Sequence, residues 1–356
     1  MYSVGMRNAL EVRCPALADR LPRMPLAELP TPVRTLSLQA HGLTMPISIK
    51  CDNLTSSYYG GNKVRKLEYL LQRARDEGAT RIATFGSVAS NHAMATSLFA
   101  KREGFQCLAF LAHQTRTPAT GRALNRHLEI GTELVRWGGD TEARANIVRE
   151  HLRDGPPTYV VPLGGTSPLG TLGFVDAALE LEAQVRRGEL EEPDVIYVAM
   201  GTMGTVAGLA IGLALGELST TVEAVRVTDP ATANPDGLSR LINETETLLR
   251  DNGAALPDDL GSADRVSFRS EFFGAGYAKT NPPTDEAVAI AAEQLELALE
   301  PTYTGKAFRG LLEDRQLQPE RRALFWNTYN SKPLPVDTRR PADVSGCPDD
   351  FLSYFD

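Results

Sequence analysis

Residues 58–71 read YYGGNKVRKLEYLL. Val64, Leu67, Leu70 and Leu71 recur at helical spacing, Ala74 continues the pattern, and Gly78 ends it. The spacing predicts a helix opening at Lys63 with Asn62 as its N-cap. Gly60 and Gly61, just ahead, permit a close backbone approach. Lys63, Arg65 and Lys66 then crowd three cations into the first turn, where they oppose the helix macrodipole. An anion beside the turn would offset that conflict; a solvated basic face is the plainer reading. A local rule broken at a glycine-flanked helix start is the pattern that functional sites produce.

Outward from this helix the chain alternates. RIATFG, QCLAFLA, ELVRWG and TYVVPLG read as strands, separated by the helices NHAMATSLFAKREG, ATGRALNRHLEIG and TEARANIVREHLRDG. After the loop GGTSPLG come the helix TLGFVDAALELEAQVRRG, the strand DVIYVAM and the helix VAGLAIGLALGEL. TVEAVRVT and RVSFRS are further strands, PTDEAVAIAAEQLELAL and GKAFRGLLEDR helices, and RALFWNT a last strand. This succession predicts an α/β protein of two lobes, each a mostly parallel sheet flanked by helices. Ligands of such sheets lie outside the strand C-termini, here expected in the cleft between lobes. The tail from Ser331 loses periodicity and is expected to wrap the surface.

A length of 356 residues suits two domains, and a net charge of −8 argues against nucleic-acid or anionic-membrane partners. The four cysteines (14, 51, 107, 347) form no CxxC pair and the five histidines show no metal-ligand spacing. The N-terminal stretch lacks the apolar core of a signal peptide, so a cytoplasmic protein is expected.

Four more segments carry chemistry. In VIYVAMGTMGTVAGL a strand ends at Met200, and Gly201, Thr202, Met203, Gly204 and Thr205 lead into a helix. Backbone N–H groups and threonine hydroxyls there would cradle a phosphate, although a tight packing turn also fits. The spacing is neither GxGxxG nor a Walker loop. FGSVASNHAMA gathers Ser87, Ser90, Asn91 and His92 at another helix start, where a carboxylate could dock. EPTYTGKAF places Tyr303 and Thr304 ahead of a helix, and FFGAGYAKTN holds Tyr277 among glycines; packing is the plainer role for either tyrosine.

Taken in order, YGGNKVRKLE, SNHAMA, GTMGTVAGL and YTGKA resemble the fold type II (tryptophan synthase β-like) pyridoxal phosphate enzymes. Within them the chain is most similar to the 1-aminocyclopropane-1-carboxylate deaminase and D-cysteine desulfhydrase family, from LPTPVRTL near Leu29 to about Trp326. The resemblance implies a large cofactor domain of 1–66 and 166–356, a small domain of 67–165, and a homodimer. It implies that Lys63 binds pyridoxal 5'-phosphate covalently and that Asn91 bonds its phenolic oxygen. Lys66 and the Gly201, Thr202, Met203, Gly204 and Thr205 loop would hold the phosphate. Thr304 would face the pyridine nitrogen. Ser90, Asn91 and His92 would bind substrate, with Tyr277 and Tyr303 beside the reacting atoms as acid, base or positioning groups. Arg65 receives no site role.

The family's cyclopropane deaminases have a glutamate where this chain has Thr304. A hydroxyl there weakens the electron sink and suits α,β-elimination, in which a leaving group takes the electrons. The expected activity is therefore a D-cysteine-like lyase giving a 2-oxo acid and ammonia. Cyclopropane ring opening, β-replacement, racemisation and a non-catalytic ligand-binding relative are the alternatives. Two departures bear on substrate choice: FWNTYNSKPL puts Tyr329, Asn330 and Lys332 where the family usually has a glycine pair, and Cys51 stands where an arginine is expected.

Overall fold

The computed structural model describes residues 7–40, 43–330 and 347–355. They divide into two compact units. The larger takes the described parts of Met1–Pro22, Ala27–Lys66 and Thr166–Ser331, and the smaller takes Arg23–Leu26, Leu67–Gly165 and the described C-terminal residues. Ten strands are present among the described residues. They are β1 (Val33–Ala40), β2 (Leu43–Lys50), β3 (Arg81–Ser87), β4 (Gln106–Ala112), β5 (Glu133–Arg136), β6 (Thr158–Val160), β7 (Val195–Met200), β8 (Thr221–Arg226), β9 (Val266–Arg269) and β10 (Ala323–Trp326).

The larger unit's sheet runs β1-β2-β10-β7-β8-β9, antiparallel only between β1 and β2. β7 is buried along its whole length, as the unbroken apolar run VIYVAM requires of a central parallel strand. On one face the helices Pro168–Arg186 and Gly204–Leu215 press together. A Cβ on Gly208 would stand 2.6 Å from Thr171 O and one on Gly212 2.5 Å from Val175 O, so this contact depends on two glycines one turn apart. The opposite face buries Ile49, Tyr197 and Phe325 against Ala291, Phe308 and Leu311, from the helices Pro282–Leu295 and Thr304–Leu317.

The smaller unit's sheet, β5-β4-β3-β6, is parallel throughout, with Phe85 and Phe110 stacked at 5.2 Å in its core. The expected division is altered at the C-terminus. Residues 332–356 were expected in the large domain as a surface wrap; Phe351 and Tyr354 instead pack with Val88, Ala93 and Leu124 in the smaller unit's core. Phe351 is an apolar side chain with no exposure, and burial on that core outweighs the surface path. Among the elements not foreseen are a strand pair and a long helix. The β1–β2 pair contains Pro46, which reads as a strand breaker but lies outside the β10 pairing at Ser48–Lys50. The helix Pro235–Asp251, capped by Asn234 and opened by Pro235, lies in a stretch with strong cap signals.

The Lys63–Asp76 helix starts in the larger unit, and Arg65 anchors that start. Its guanidinium is 1% exposed and meets Asp52 Oδ1 at 2.8 Å and Glu180 Oε1 at 2.9 Å. Asp52 also accepts from Trp326 Nε1 at 2.8 Å, and Glu180 from Lys50 Nζ at 2.5 Å. Burial alone would raise the Glu180 carboxyl, but Arg65 and Lys50 overturn that and hold it at about 2. Arg65→Met would leave two carboxylates buried beside a missing cation, and we expect a loss of about 3–5 kcal/mol in denaturant unfolding. Because its native pKa is depressed, Glu180 contributes stability in full above pH 4.5. That contribution is lost as the pH falls toward 2, which acid titration of the unfolding midpoint will show.

Candidate active site

Arg65 points into the core, whereas Lys63 and Lys66 do not share its carboxylates. Lys63 is half-buried, and burial pushes its amine down to about 8. Lys66 is 1% exposed, and burial, followed by the charge of Lys63, lowers its pKa strongly. Its Nζ lies 3.4 Å from Thr166 Oγ1, which in turn meets Thr202 Oγ1 at 2.7 Å. A Cβ on Gly204 would stand 2.8 Å from Lys66 Nζ and 3.0 Å from Thr166 Oγ1, so glycine is what lets the lysine reach the loop.

That loop is strained. Met203 has φ 68° and ψ −28°, and Gly204 N–H closes on Thr202 O at 2.9 Å, a γ-turn uncommon for a residue with a side chain. No side chain caps the Gly204–Leu215 helix, so the N–H groups that follow Gly204 in its first turn remain donors. Asn62, expected as a helix cap, directs its side-chain amide to Thr205 Oγ1 at 3.1 Å. Thr205 accepts that bond and keeps its own hydrogen to give, and the Thr166–Thr202 pair keeps one hydrogen beyond the bond they share. An ammonium, two hydroxyl hydrogens and a helix N-terminus form a set of donors suited to a phosphate. Thr166 was not foreseen as a member; its signal was the GGTSP turn between strand and helix.

The other end of the loop meets the tyrosines. A Cβ on Gly201 would touch the Tyr303 ring at 3.4 Å, and the Tyr303 and Tyr277 hydroxyls are 2.5 Å apart. Burial, then Tyr277 and Glu300, raise Tyr303 well above the ordinary phenol range. Glu300, also unforeseen, organises this helix start. Its Oε1 accepts the N–H groups of Tyr303 and Thr304, both at 2.8 Å, and its Oε2 that of Thr302 at 2.8 Å. Burial raises the Glu300 carboxyl despite these bonds. The Thr304 hydroxyl accepts from Glu300 N at 3.1 Å and lies 3.3 Å from Glu300 Oε1.

The remaining predicted residues belong to the smaller unit. Ser90 caps the Asn91–Arg102 helix through Ala93 N–H at 3.2 Å, and Ser90 and Asn91 are half-buried. His92 is buried, with Nε2 3.4 Å from Thr84 Oγ1 on β3. Capping and packing thus account for part of a cluster expected to bind substrate.

The atypical segment after β10 packs around the glycines that precede Lys63. Thr328 O accepts Asn62 N–H at 3.2 Å and Asn330 Oδ1 accepts Gly60 N–H at 3.2 Å; Gly61, at φ 97°, leaves 3.1 Å between a built Cβ and Thr328 O. Asn327 is fully buried, and its Nδ2 has no partner among the described residues. Lys332 lies outside the described residues. Cys51 is buried in the sheet core with Ile49 and Phe325, a position hostile to the arginine expected there.

Known proteins share this arrangement of elements. The structure of an ACC deaminase homologue superposes with a TM-score of 0.74 at 29% identity, covering 92% of this chain and 96% of its own. A threonine deaminase from T.th. gives 0.58 at 19% identity, over 86% and 94%. A fungal L-serine ammonia-lyase from Rhizomucor miehei gives 0.54 at 18%, over 79% and 87%. The latter two establish the fold, that of two-domain fold type II enzymes. The family model for pyridoxal-phosphate dependent enzymes matches residues 24–328, and with most of its length so matched, this chain belongs to that family.

Proposed function

We propose that the protein is a pyridoxal phosphate-dependent lyase that removes ammonia from a small β-substituted amino acid of the D-cysteine type. The observation that carries this reading is one donor-lined loop that meets Lys66 and Thr166 at Gly204 and the Tyr303 ring at Gly201, with Lys63 opening the helix that carries Lys66. Pyridoxal phosphate, where bound, supplies an electron sink next to the substrate's α-carbon. Lys66, Thr166, Thr202, Thr205 and the Gly204 helix N-terminus would hold its phosphate, and Lys63 its aldehyde carbon.

The residues divide the proton work. Lys63 is ordinarily a cation near neutral pH, but with its pKa near 8 a useful fraction is free amine, able to take the α-proton. Tyr303 keeps its hydrogen over the same range, so the pair it forms with Tyr277 can offer a hydrogen bond to a departing sulfur, which leaves as thiolate and takes its proton from solvent. For D-cysteine the sum is substrate plus one water giving pyruvate, ammonia and hydrogen sulfide. Cyclopropane ring opening is the second reading, favoured by the 29% identity to the ACC deaminase homologue. Product analysis with D-cysteine, L-cysteine and 1-aminocyclopropane-1-carboxylate decides between them: sulfide and pyruvate from a cysteine support elimination, and 2-oxobutanoate from the cyclopropane supports ring opening.

Three outcomes test the assignment. Competitive acetylation of the cofactor-free protein should show Lys63 reacting with a midpoint near pH 8, protonated and inert below it, free amine above it; a midpoint above 10 refutes the depressed amine. Borohydride treatment of the yellow holoenzyme should fix the cofactor to Lys63, and an adduct on Lys66 or Lys306 refutes the role given to Lys63. Thr202→Val and Thr205→Val each remove a hydroxyl bond to a charged group, worth roughly 1.5–3 kcal/mol. Cofactor affinity should drop about tenfold or more with the thermal midpoint of the cofactor-free protein retained.

A further inference from the structure

The loop that carries Tyr277 has little structure of its own. Between β9 and the Pro282 helix it forms no strand or helix, and Gly274, Ala278 and Gly276 adopt φ of 72°, 56° and 145°. Gly274, Ala275 and Lys279 are exposed, and the backbone ties within it are Phe273 N–H to Ser270 O and Lys279 N–H to Gly276 O. Phe272 anchors one end in the sheet core. A loop so built would sample many conformations, yet its phenol stands 2.5 Å from that of Tyr303.

Lys306 supplies a restraint. Its side chain has no exposure, which for a lysine calls for partners. Nζ donates to Phe273 O at 2.6 Å, reaches Gly276 O at 3.4 Å and stands 5.1 Å from the centre of the Phe273 ring. These carbonyls bracket the turn immediately before Tyr277. Lys306 also lies one turn into the Thr304–Leu317 helix, whose N-cap residue is Tyr303. One helix turn therefore holds both phenols, Tyr303 through its own backbone and Tyr277 through the ammonium.

We propose that Lys306 is the positioning residue of the Tyr277–Tyr303 hydroxyl pair, acting by pinning the 273–277 backbone. The proposal rests on the reading that these phenols serve the reaction. Lys306→Met keeps the stem and removes the donors. In the cofactor-free protein, amide hydrogen exchange across 273–279 should accelerate tenfold or more while the sheet strands keep their protection. In the holoenzyme, kcat should fall at least tenfold with cofactor affinity within twofold of the parent. In a Tyr277→Phe background, the same substitution should change kcat less than twofold, because the group it positions is already gone. Unchanged loop exchange, or losses that multiply between the two variants, overturns the clamp. Parental kcat in Tyr277→Phe overturns the reading of the phenols and the proposal with it, an outcome distinct from a failed clamp. Should Lys306→Met not fold, Lys306→Gln retains an N–H donor, and the same exchange and kinetic comparison applies to it, with a partial effect expected.

Discussion

The Arg65 guanidinium is the contact on which the larger unit's site is built. It joins the turn after β2 through Asp52, the Pro168–Arg186 helix through Glu180, and β10 through the Trp326–Asp52 bond. A buried ion cluster of this kind contributes little net stability over an apolar core of equal volume. What it contributes here is position. Three sequence-distant segments converge on one side chain, and that side chain sits between Lys63 and Lys66 on the first turn of its helix. Gly173 records how tightly this is done, since a Cβ there would lie 2.3 Å from Arg65 O.

With Arg65 neutralised from within, the remaining two cations of the turn are the ones whose burial is opposed. Both lysines have depressed pKa values, and Lys66 is lowered further by its neighbour's charge. The same burial acts in the opposite sense on acids, raising Tyr303 and Glu300. Burial thus leaves more of a lysine as free amine and keeps the hydrogen on a tyrosine. A phosphate beside Lys66 would reverse its shift, so cofactor binding and lysine protonation are linked at that residue.

Much of this was legible in the chain. The βα alternation, the glycine-threonine loop and the three-cation turn each carry local signals, and local signals survive folding. Arg65 was not legible, because a cation on a helix start reads the same whether it meets solvent or the carboxylates of Asp52 and Glu180, 13 and 115 positions away. Lys306 was hidden for the same reason: its acceptors are backbone carbonyls, which leave no mark on residue type. Thr166 and Glu300 stood in plain turn sequences, where capping explains a threonine or a glutamate as well as chemistry does. The C-terminal residues carried too short an apolar pattern to reveal that Phe351 is a core residue.

The hydroxyl of Thr304 shows how far a residue identity carries the choice of reaction. As a sequence letter it is a neutral group, and the resemblance made that neutrality an argument for elimination. In the structure, Glu300 lies within 3.3 Å of that hydroxyl, and its carboxylate is committed to three backbone N–H groups at the helix start. Thr304 accepts from Glu300 N, and its Oγ1 lies 3.3 Å from both Glu300 O and Oε1, to which it can donate. Toward anything beyond, it offers a lone pair unless it releases Glu300. The distinction between outcomes then falls on the proton supply. Opening a cyclopropane requires a proton delivered to carbon, whereas a thiolate is expelled by the electron pair freed when the α-proton is removed and needs at most a hydrogen-bond donor. In the elimination proposed above, the Tyr303–Tyr277 pair would be that hydrogen-bond donor; burial, which raises Tyr303, keeps the hydrogen on the phenol.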